Sequence, residues 1–181
     1  MLKNQIPNLL SSLRIILTPL YIFTYRKTII NSVEYVVPTL IVFLIICLTD
    51  VLDGKMARLL NRQTKFGQYL DVVADSLFVI SSAVLLVGYK LVPLWILYLI
   101  FWKLFEFFVT SKILTKNNIL VYDPIGKTGI LMIFILPIFV FLLKKHVYII
   151  RLYTYLCLIL VLTSSAIRIV KCSNVDNRKL S

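Results

Sequence analysis

The chain of 181 residues is strongly apolar and strongly basic, with 60% hydrophobic residues, 15% charged residues and a net charge of +12. Its mean hydropathy of +0.91 lies outside the range of ordinary soluble domains and indicates that the bilayer is its solvent. The Lys and Arg residues lie mainly between apolar runs, not on a basic helical face or among aromatic residues. This distribution argues against nucleic acid as a partner and for membrane lipids.

Six apolar runs follow one another along the chain, and each is about as long as a helix needs to cross a bilayer. Backbone polar groups in lipid must be satisfied within their own segment, so we predict an all-α integral membrane protein, a bundle of six transmembrane helices. We expect one membrane domain over residues 1–171, followed by a polar C-terminal tail over residues 172–181. The predicted helices cover residues 8–25, 36–51, 66–88, 91–112, 124–143 and 147–170.

The basic residues predict the orientation of these helices. If both termini share one side with the loops after the second and fourth helices, thirteen of the 20 Lys and Arg residues fall on that side. Six fall on the other side, and Lys103 lies within the fourth helix. Because Lys and Arg are enriched in cytoplasmic loops, we expect a multi-pass protein of the cell membrane with both termini in the cytoplasm.

Half of the eight acidic residues lie at the end of the second predicted helix and the start of the third. Asp50 and Asp53 are three residues apart, and Asp71 and Asp75 are four apart, so each pair shares one helical face. Ionisable groups in membrane segments are costly to keep and are usually functional. If the two faces meet, the four carboxylates repel one another unless cations neutralise them. Their hard oxygens suit one or two Mg²⁺ or Mn²⁺ ions, and these acids face the cytoplasm in the predicted orientation.

Small and basic residues accompany the four aspartates. Gly54 and Gly67 let a ligand or a backbone come close, and Ala57 fits the same need. Arg58 carries a planar fork of donors that suits a diphosphate. Each of these residues alone also has an ordinary explanation, which is helix packing for the glycines and a membrane-flanking charge for Arg58.

Together these residues form the pattern D-x2-D-G-x2-A-R-x8-G-x3-D-x3-D, from Asp50 to Asp75. The pattern resembles the signature of the CDP-alcohol phosphotransferases, also called CDP-alcohol phosphatidyltransferases, with no position missing. With the six apolar runs, the resemblance extends over nearly the whole chain. It implies a membrane transferase of phospholipid biosynthesis, in which an alcohol displaces CMP from a CDP-linked donor, usually CDP-diacylglycerol.

The resemblance also implies roles for single residues. Asp50, Asp53, Asp71 and Asp75 would bind two divalent cations, and Asp75 would be the general base for the attacking hydroxyl. The residues expected at the CDP-linked donor are Asp50, Asp53, Gly54, Ala57, Arg58, Gly67 and Asp71. Homodimers are common in this family, so we also consider a homodimer.

Weaker similarities favour phosphatidylglycerophosphate synthases within the family, and therefore glycerol 3-phosphate as the acceptor. Residues 6–14 and 61–67 resemble that subfamily, whereas residues 71–76 read D-V-V-A-D-S in place of its usual D-P-L-A-D-K. In the fourth helix, Lys103 and Glu106 replace an expected Arg–Glu pair, and they also have the spacing of a simple ion pair. The cations that we consider for binding the acceptor are Arg14, Lys103, Lys112 and Lys127.

Other functions remain open from the sequence alone. Serine or inositol phosphate could replace glycerol 3-phosphate as the acceptor. An intramembrane prenyltransferase also binds a diphosphate through aspartates and magnesium, but it needs two separated aspartate-rich motifs, and this chain has one. A cation transporter commonly shows internal repeats with broken helices, and the sequence has no clear repeat.

Overall fold

The computed structural model of the protein describes residues 6–30, 33–59, 65–116, 124–143 and 145–180. Within these ranges it consists of six α-helices and a short 3₁₀ helix, Val33–Tyr35, with no β-strand. The predicted all-helical fold with six helices is confirmed for this part of the chain. The helices are α1 (Ile6–Ile29), α2 (Val36–Leu59), α3 (Lys65–Gly88), α4 (Trp95–Lys116), α5 (Pro124–Leu142) and α6 (Val147–Leu180).

The signature residues lie on helices and not in a loop. Helix α2 continues past the predicted end at residue 51 and reaches Leu59, because no proline interrupts it and a helix tolerates a single glycine. Helix α3 then begins at Lys65. The predicted gap over residues 52–65 was therefore wrong, since only residues 60–64 separate the two helices, and these lie outside the described residues.

Two other helix ends differ from the prediction. Helix α4 begins at Trp95 and not at residue 91, because Pro93 disfavours the helical conformation of the residue before it. Helix α6 continues through Leu180, so most of the polar segment after residue 171 is helical. The division of the chain into a domain and a tail stays a prediction.

Three segments of the described chain are long and apolar enough to cross a membrane: Val33–Leu52, Leu70–Gly88 and Val147–Val170. A shorter apolar helix covers Thr128–Leu143. Many large apolar side chains on these helices are exposed, as expected of surfaces that contact lipid. These features indicate a membrane protein, while six crossings and the orientation of the termini stay predictions.

The chain divides into two compact units, Met1–Leu85 and Leu86–Ser181. In the first unit an aromatic cluster joins α1, α2 and α3. The ring centroid of Tyr21 lies 6.0 Å from that of Phe43 and 5.3 Å from that of Phe78, and all three side chains are buried. Such ring pairs add about 0.5–1.5 kcal/mol beyond the area that they bury. The cluster therefore holds the three helices that carry the candidate site.

In the second unit α6 packs against both α4 and α5. A Cβ atom on Gly129 of α5 would lie only 3.2 Å from the side chain of Val161 on α6, so the two backbones approach closely because this position has no side chain. The Tyr153 hydroxyl of α6 donates a hydrogen bond of 2.8 Å to the carbonyl oxygen of Met132. Small-residue packing and a hydrogen bond thus hold α5 to α6.

Candidate active site

Of the four signature aspartates, the three whose side chains the structure describes converge in the first unit. Asp50 lies on α2, and Asp71 and Asp75 lie one turn apart on α3. One carboxylate oxygen from each side chain lies within 4.8 Å of those of the other two. The side chains are 46%, 41% and 39% exposed, in the order Asp50, Asp71 and Asp75. The carboxylates therefore form a cluster that a ligand can reach.

The guanidinium of Arg14, on α1, lies among these carboxylates. Its Nη2 atom is 3.2 Å from an oxygen of Asp50, and its Nη1 atom donates a hydrogen bond of 3.0 Å to Asp71. The same Nη1 atom also donates a hydrogen bond to Asp75. The Arg14 side chain is 0% exposed. A buried cation thus offsets part of the repulsion among three acids, and its planar fork fits several carboxylates at once.

Arg14 lies on the buried face of α1. Buried residues recur along α1 at positions 11, 14, 18, 21 and 25, a spacing of three or four residues that marks one face of a helix. This face is mostly polar, since Ser11 and Thr18 flank Arg14. The Thr18 hydroxyl donates to the Arg14 carbonyl oxygen at 2.9 Å. The sequence suggests Arg14 only as a residue that binds the acceptor; the polar residues that recur along α1 indicate that it is buried, but not that it contacts the acids.

The carboxylate cluster fits a divalent cation. Two oxygens bound to one Mg²⁺ ion lie at most about 4.2 Å apart, twice the usual Mg–O distance. The oxygens of Asp50, Asp71 and Asp75 lie within 4.8 Å of one another, so small side-chain rotations suffice to ligate one ion. Hard carboxylate oxygens are also the donors that Mg²⁺ and Mn²⁺ prefer. Arg14 contacts one oxygen of each of these carboxylates, so a cation and Arg14 compete for the same groups.

A second buried polar cluster lies in the other unit, around Lys103 of α4. The Nζ atom of Lys103 donates hydrogen bonds to Glu106 Oε2 at 3.1 Å, to Ser164 Oγ at 2.8 Å and to Ser165 Oγ at 3.4 Å. The Ser165 hydroxyl donates in turn to Glu106 Oε2 at 2.5 Å. All four side chains are buried. An ammonium has three donors, and those of Lys103 all have acceptors within this cluster.

Comparison with known proteins places the chain in a family. The profile of the CDP-alcohol phosphatidyltransferases matches residues 4–166. The chain belongs to this family. The match includes every signature position as well as α4, α5 and most of α6. Family membership therefore disfavours the transporter and the prenyltransferase that the sequence left open.

Curated relatives are similar over part of their length. A CDP-diacylglycerol–glycerol-3-phosphate 3-phosphatidyltransferase of Wigglesworthia glossinidia brevipalpis is 35% identical over 88 residues, 49% of this chain and 47% of that protein. One of Bacillus subtilis is 34% identical over 116 residues, 59% of each chain. A cardiolipin synthase (CMP-forming) of Streptomyces coelicolor is 33% identical over 91 residues, 50% of this chain and 42% of that protein. The chain spans about half the length of the curated relatives it matches.

The remaining signature residues of this family member are only partly described. The backbone of α2 places Asp53 one turn after Asp50, but its side chain lies outside the described residues. The side chains of Lys112 and Lys127 also lie outside the described residues, as do three residues of α2 expected at the donor: Gly54, Ala57 and Arg58. Gly67 lies in the first turn of α3, one turn before Asp71. The role expected of each of these residues stays a prediction.

We expect Arg14→Gln to destabilise the metal-free protein, because the three carboxylates then lose their counter-charge. The expected loss is roughly 2 kcal/mol, less than for a fully buried ion pair because the carboxylates are half exposed. Mg²⁺ should raise the unfolding temperature of the variant more than that of the wild type, since no guanidinium competes for the oxygens. Thermal unfolding in detergent with and without MgCl₂ measures both effects. Arg14→Lys, which keeps the charge, is the control. Equal Mg²⁺-induced shifts of the unfolding temperature in Arg14→Gln and the wild type would contradict competition between Arg14 and Mg²⁺.

We expect Lys103→Met to reduce stability by roughly 3–5 kcal/mol, the usual cost of leaving a buried charge without its partner. The double variant Lys103→Met/Glu106→Gln should recover much of this loss, because it also removes the stranded carboxylate. Denaturant unfolding in micelles of the wild type, both single variants and the double variant measures the coupling. A stable Lys103→Met protein with a raised KM for the acceptor would instead make Lys103 an acceptor-binding residue.

Proposed function

We propose that the protein transfers a phosphatidyl group from CDP-diacylglycerol to an alcohol and releases CMP, and that glycerol 3-phosphate is the acceptor. The observation that carries this proposal is the convergence of the signature carboxylates of Asp50, Asp71 and Asp75 in a member of the phosphatidyltransferase family. The choice of acceptor is supported by relatives that are named glycerol-3-phosphate 3-phosphatidyltransferases, such as those of Wigglesworthia glossinidia brevipalpis and Bacillus subtilis.

The proposed reaction is an attack of the acceptor hydroxyl on the phosphorus that carries the diacylglycerol group. Asp75 accepts the hydroxyl proton as general base. The acceptor oxygen then forms a bond to that phosphorus, and the bond from the phosphorus to the CMP oxygen breaks. Bound Mg²⁺ or Mn²⁺, in our proposal two ions, would neutralise the diphosphate and the charge that develops on CMP. Asp50, Asp53 and Asp71 complete the ligand set with Asp75.

The donor and the acceptor need different parts of the site. Gly54, Ala57 and Gly67 leave room on α2 and α3 for the cytidine diphosphate, and Arg58 holds its phosphates. Arg14 is our candidate for the acceptor phosphate, because its Nε atom is buried without a hydrogen-bond partner among the described residues. Buried donors of this kind favour an anionic ligand, since an unmet donor is costly.

The site needs access to lipid and to water-soluble acceptor. We propose that the chain crosses the membrane six times as one domain, with both termini and the aspartate cluster on the cytoplasmic side. The excess of Lys and Arg on that side supports this orientation. The acyl chains of the donor then stay in the bilayer while its nucleotide reaches the carboxylates, and nearby cations attract the anionic donor.

The decisive experiment is a CMP-release assay with purified protein in mixed micelles of CDP-diacylglycerol and Mg²⁺. The acceptor panel is glycerol 3-phosphate, serine, inositol phosphate and no acceptor, with phosphatidylglycerol as a lipid alcohol because a cardiolipin synthase is among the relatives. We expect glycerol 3-phosphate to stimulate release. Asp75→Asn should lower the rate by roughly 10²–10⁴-fold, the usual contribution of a general base.

Glu34→Gln is the matched control, because Glu34 is an exposed acid outside the signature and its loss should leave the rate unchanged. A chelator should abolish release and added Mg²⁺ should restore it. Folded protein that releases no CMP with any acceptor would sink the proposed activity, whereas release with serine or inositol phosphate alone would overturn only the acceptor.

A further inference from the structure

A cavity of about 510 Å³ lies in the second unit, between the turn that follows α3, the start of α4 and the first turns of α6. One candidate membrane span ends at Gly88, just before this turn, and another begins at Val147, at the start of α6. The cavity therefore lies at the ends of two spans, the level at which hydrocarbon gives way to lipid headgroups.

Two cations line this cavity. Lys90 and Arg151 are both exposed, and neither belongs to an ion pair of the described residues. The chain segments that line the cavity hold no acid nearby, since residues 76–105 and 124–175 contain neither Asp nor Glu. The positive charge at the cavity is thus not offset by these segments and attracts an anion.

Lys90, which lines the cavity, has an unusual backbone conformation. Its φ angle is 57°, in the left-handed region that glycine adopts most easily. The amide of Lys90 donates to the carbonyl oxygen of Val87, and that of Leu91 to the carbonyl oxygen of Leu86, each at 2.9 Å. This is the Schellman motif that ends many helices, and glycine is usual at the position of Lys90. A strained lysine at a cavity is a reason to look for a ligand.

An apolar groove of about 720 Å³ continues from the cavity between α4 and α6. Trp95 and Tyr155 line both spaces, and their rings stack with centroids 5.8 Å apart. Trp and Tyr commonly lie at the membrane interface. The groove extends along α4 from Trp95 to Phe105, about 15 Å of helix. This length is about half of the ~30 Å hydrocarbon core, the depth of one lipid leaflet.

We propose that the cavity and the groove together bind one anionic phospholipid, with its phosphate between Lys90 and Arg151 and an acyl chain along α4 and α6. The charge of the cavity matches a lipid phosphate, and the apolar groove matches its chain. A zwitterionic headgroup fits less well, because its ammonium would lie near two cations. This site is independent of the proposed transfer reaction.

The tryptophans of the chain allow a direct test. The protein has two tryptophans, and both Trp95 and Trp102 line the groove. A lipid with brominated acyl chains quenches tryptophan fluorescence on contact, so quenching of the purified full-length protein in mixed micelles reports the occupancy of the groove. The two probes are brominated phosphatidylglycerol and brominated phosphatidylcholine. Each cation near an anionic lipid is worth roughly fivefold in affinity. We therefore expect the anionic lipid to reach half-maximal quenching at a mole fraction about five- to twentyfold lower than the neutral lipid.

The double variant Lys90→Gly/Arg151→Gln should reduce quenching by the anionic lipid to the level of the neutral lipid. Lys90→Gly places glycine where the helix end favours it, so misfolding does not explain the loss, and circular dichroism checks the fold. Lys145→Gln is the matched control, because Lys145 is an exposed lysine just before α6 that does not line the cavity. This variant should keep the preference for the anionic lipid. Equal potency of the two lipids in the wild type, or selectivity that survives in the double variant, would overturn the proposal.

Discussion

The mutual repulsion of carboxylates at the end of an apolar helix pair is the constraint on which the first unit depends. Asp50, Asp71 and Asp75 approach one another within 4.8 Å, which would be costly without compensating charge. Arg14 supplies that charge from a third helix. The aromatic packing of Tyr21, Phe43 and Phe78 then has a functional consequence, because it fixes the three helices that bring the cation to the acids.

The cluster around Lys103 and the cluster around Arg14 differ in which polar groups they leave available to a ligand. Around Lys103 the three ammonium donors all have acceptors in Glu106 Oε2 and two serine hydroxyls, which is how a buried ion pair holds helices together at an acceptable desolvation cost. Around Arg14 the three acidic side chains are 39–46% exposed, and the guanidinium Nε atom has no hydrogen-bond partner among the described residues. A closed cluster suits a structural role, whereas an open one suits a ligand.

Much of this could be predicted from the sequence because the information was local. The apolar runs predicted six helices, and the i, i+3 and i, i+4 spacings of the aspartates predicted which carboxylates share a face. The Lys103–Glu106 ion pair was one of two interpretations that the spacing allowed. Its partners Ser164 and Ser165 are about 60 residues away, and only the packing of α4 on α6 reveals them. The contacts of Arg14 with the acids and the left-handed Lys90 also depend on tertiary structure, which no short pattern encodes.

Binding of divalent cations by the aspartate cluster is best measured as Mn²⁺ binding to the purified protein by electron paramagnetic resonance. Free Mn²⁺ gives a strong signal that weakens on binding, so a titration counts the sites without any assay of activity. We expect two bound ions per chain in the presence of CDP, and loss of binding in Asp71→Asn. Wild-type protein that binds no Mn²⁺, or an Asp71→Asn variant that binds it as well as the wild type, would contradict cation binding by the cluster.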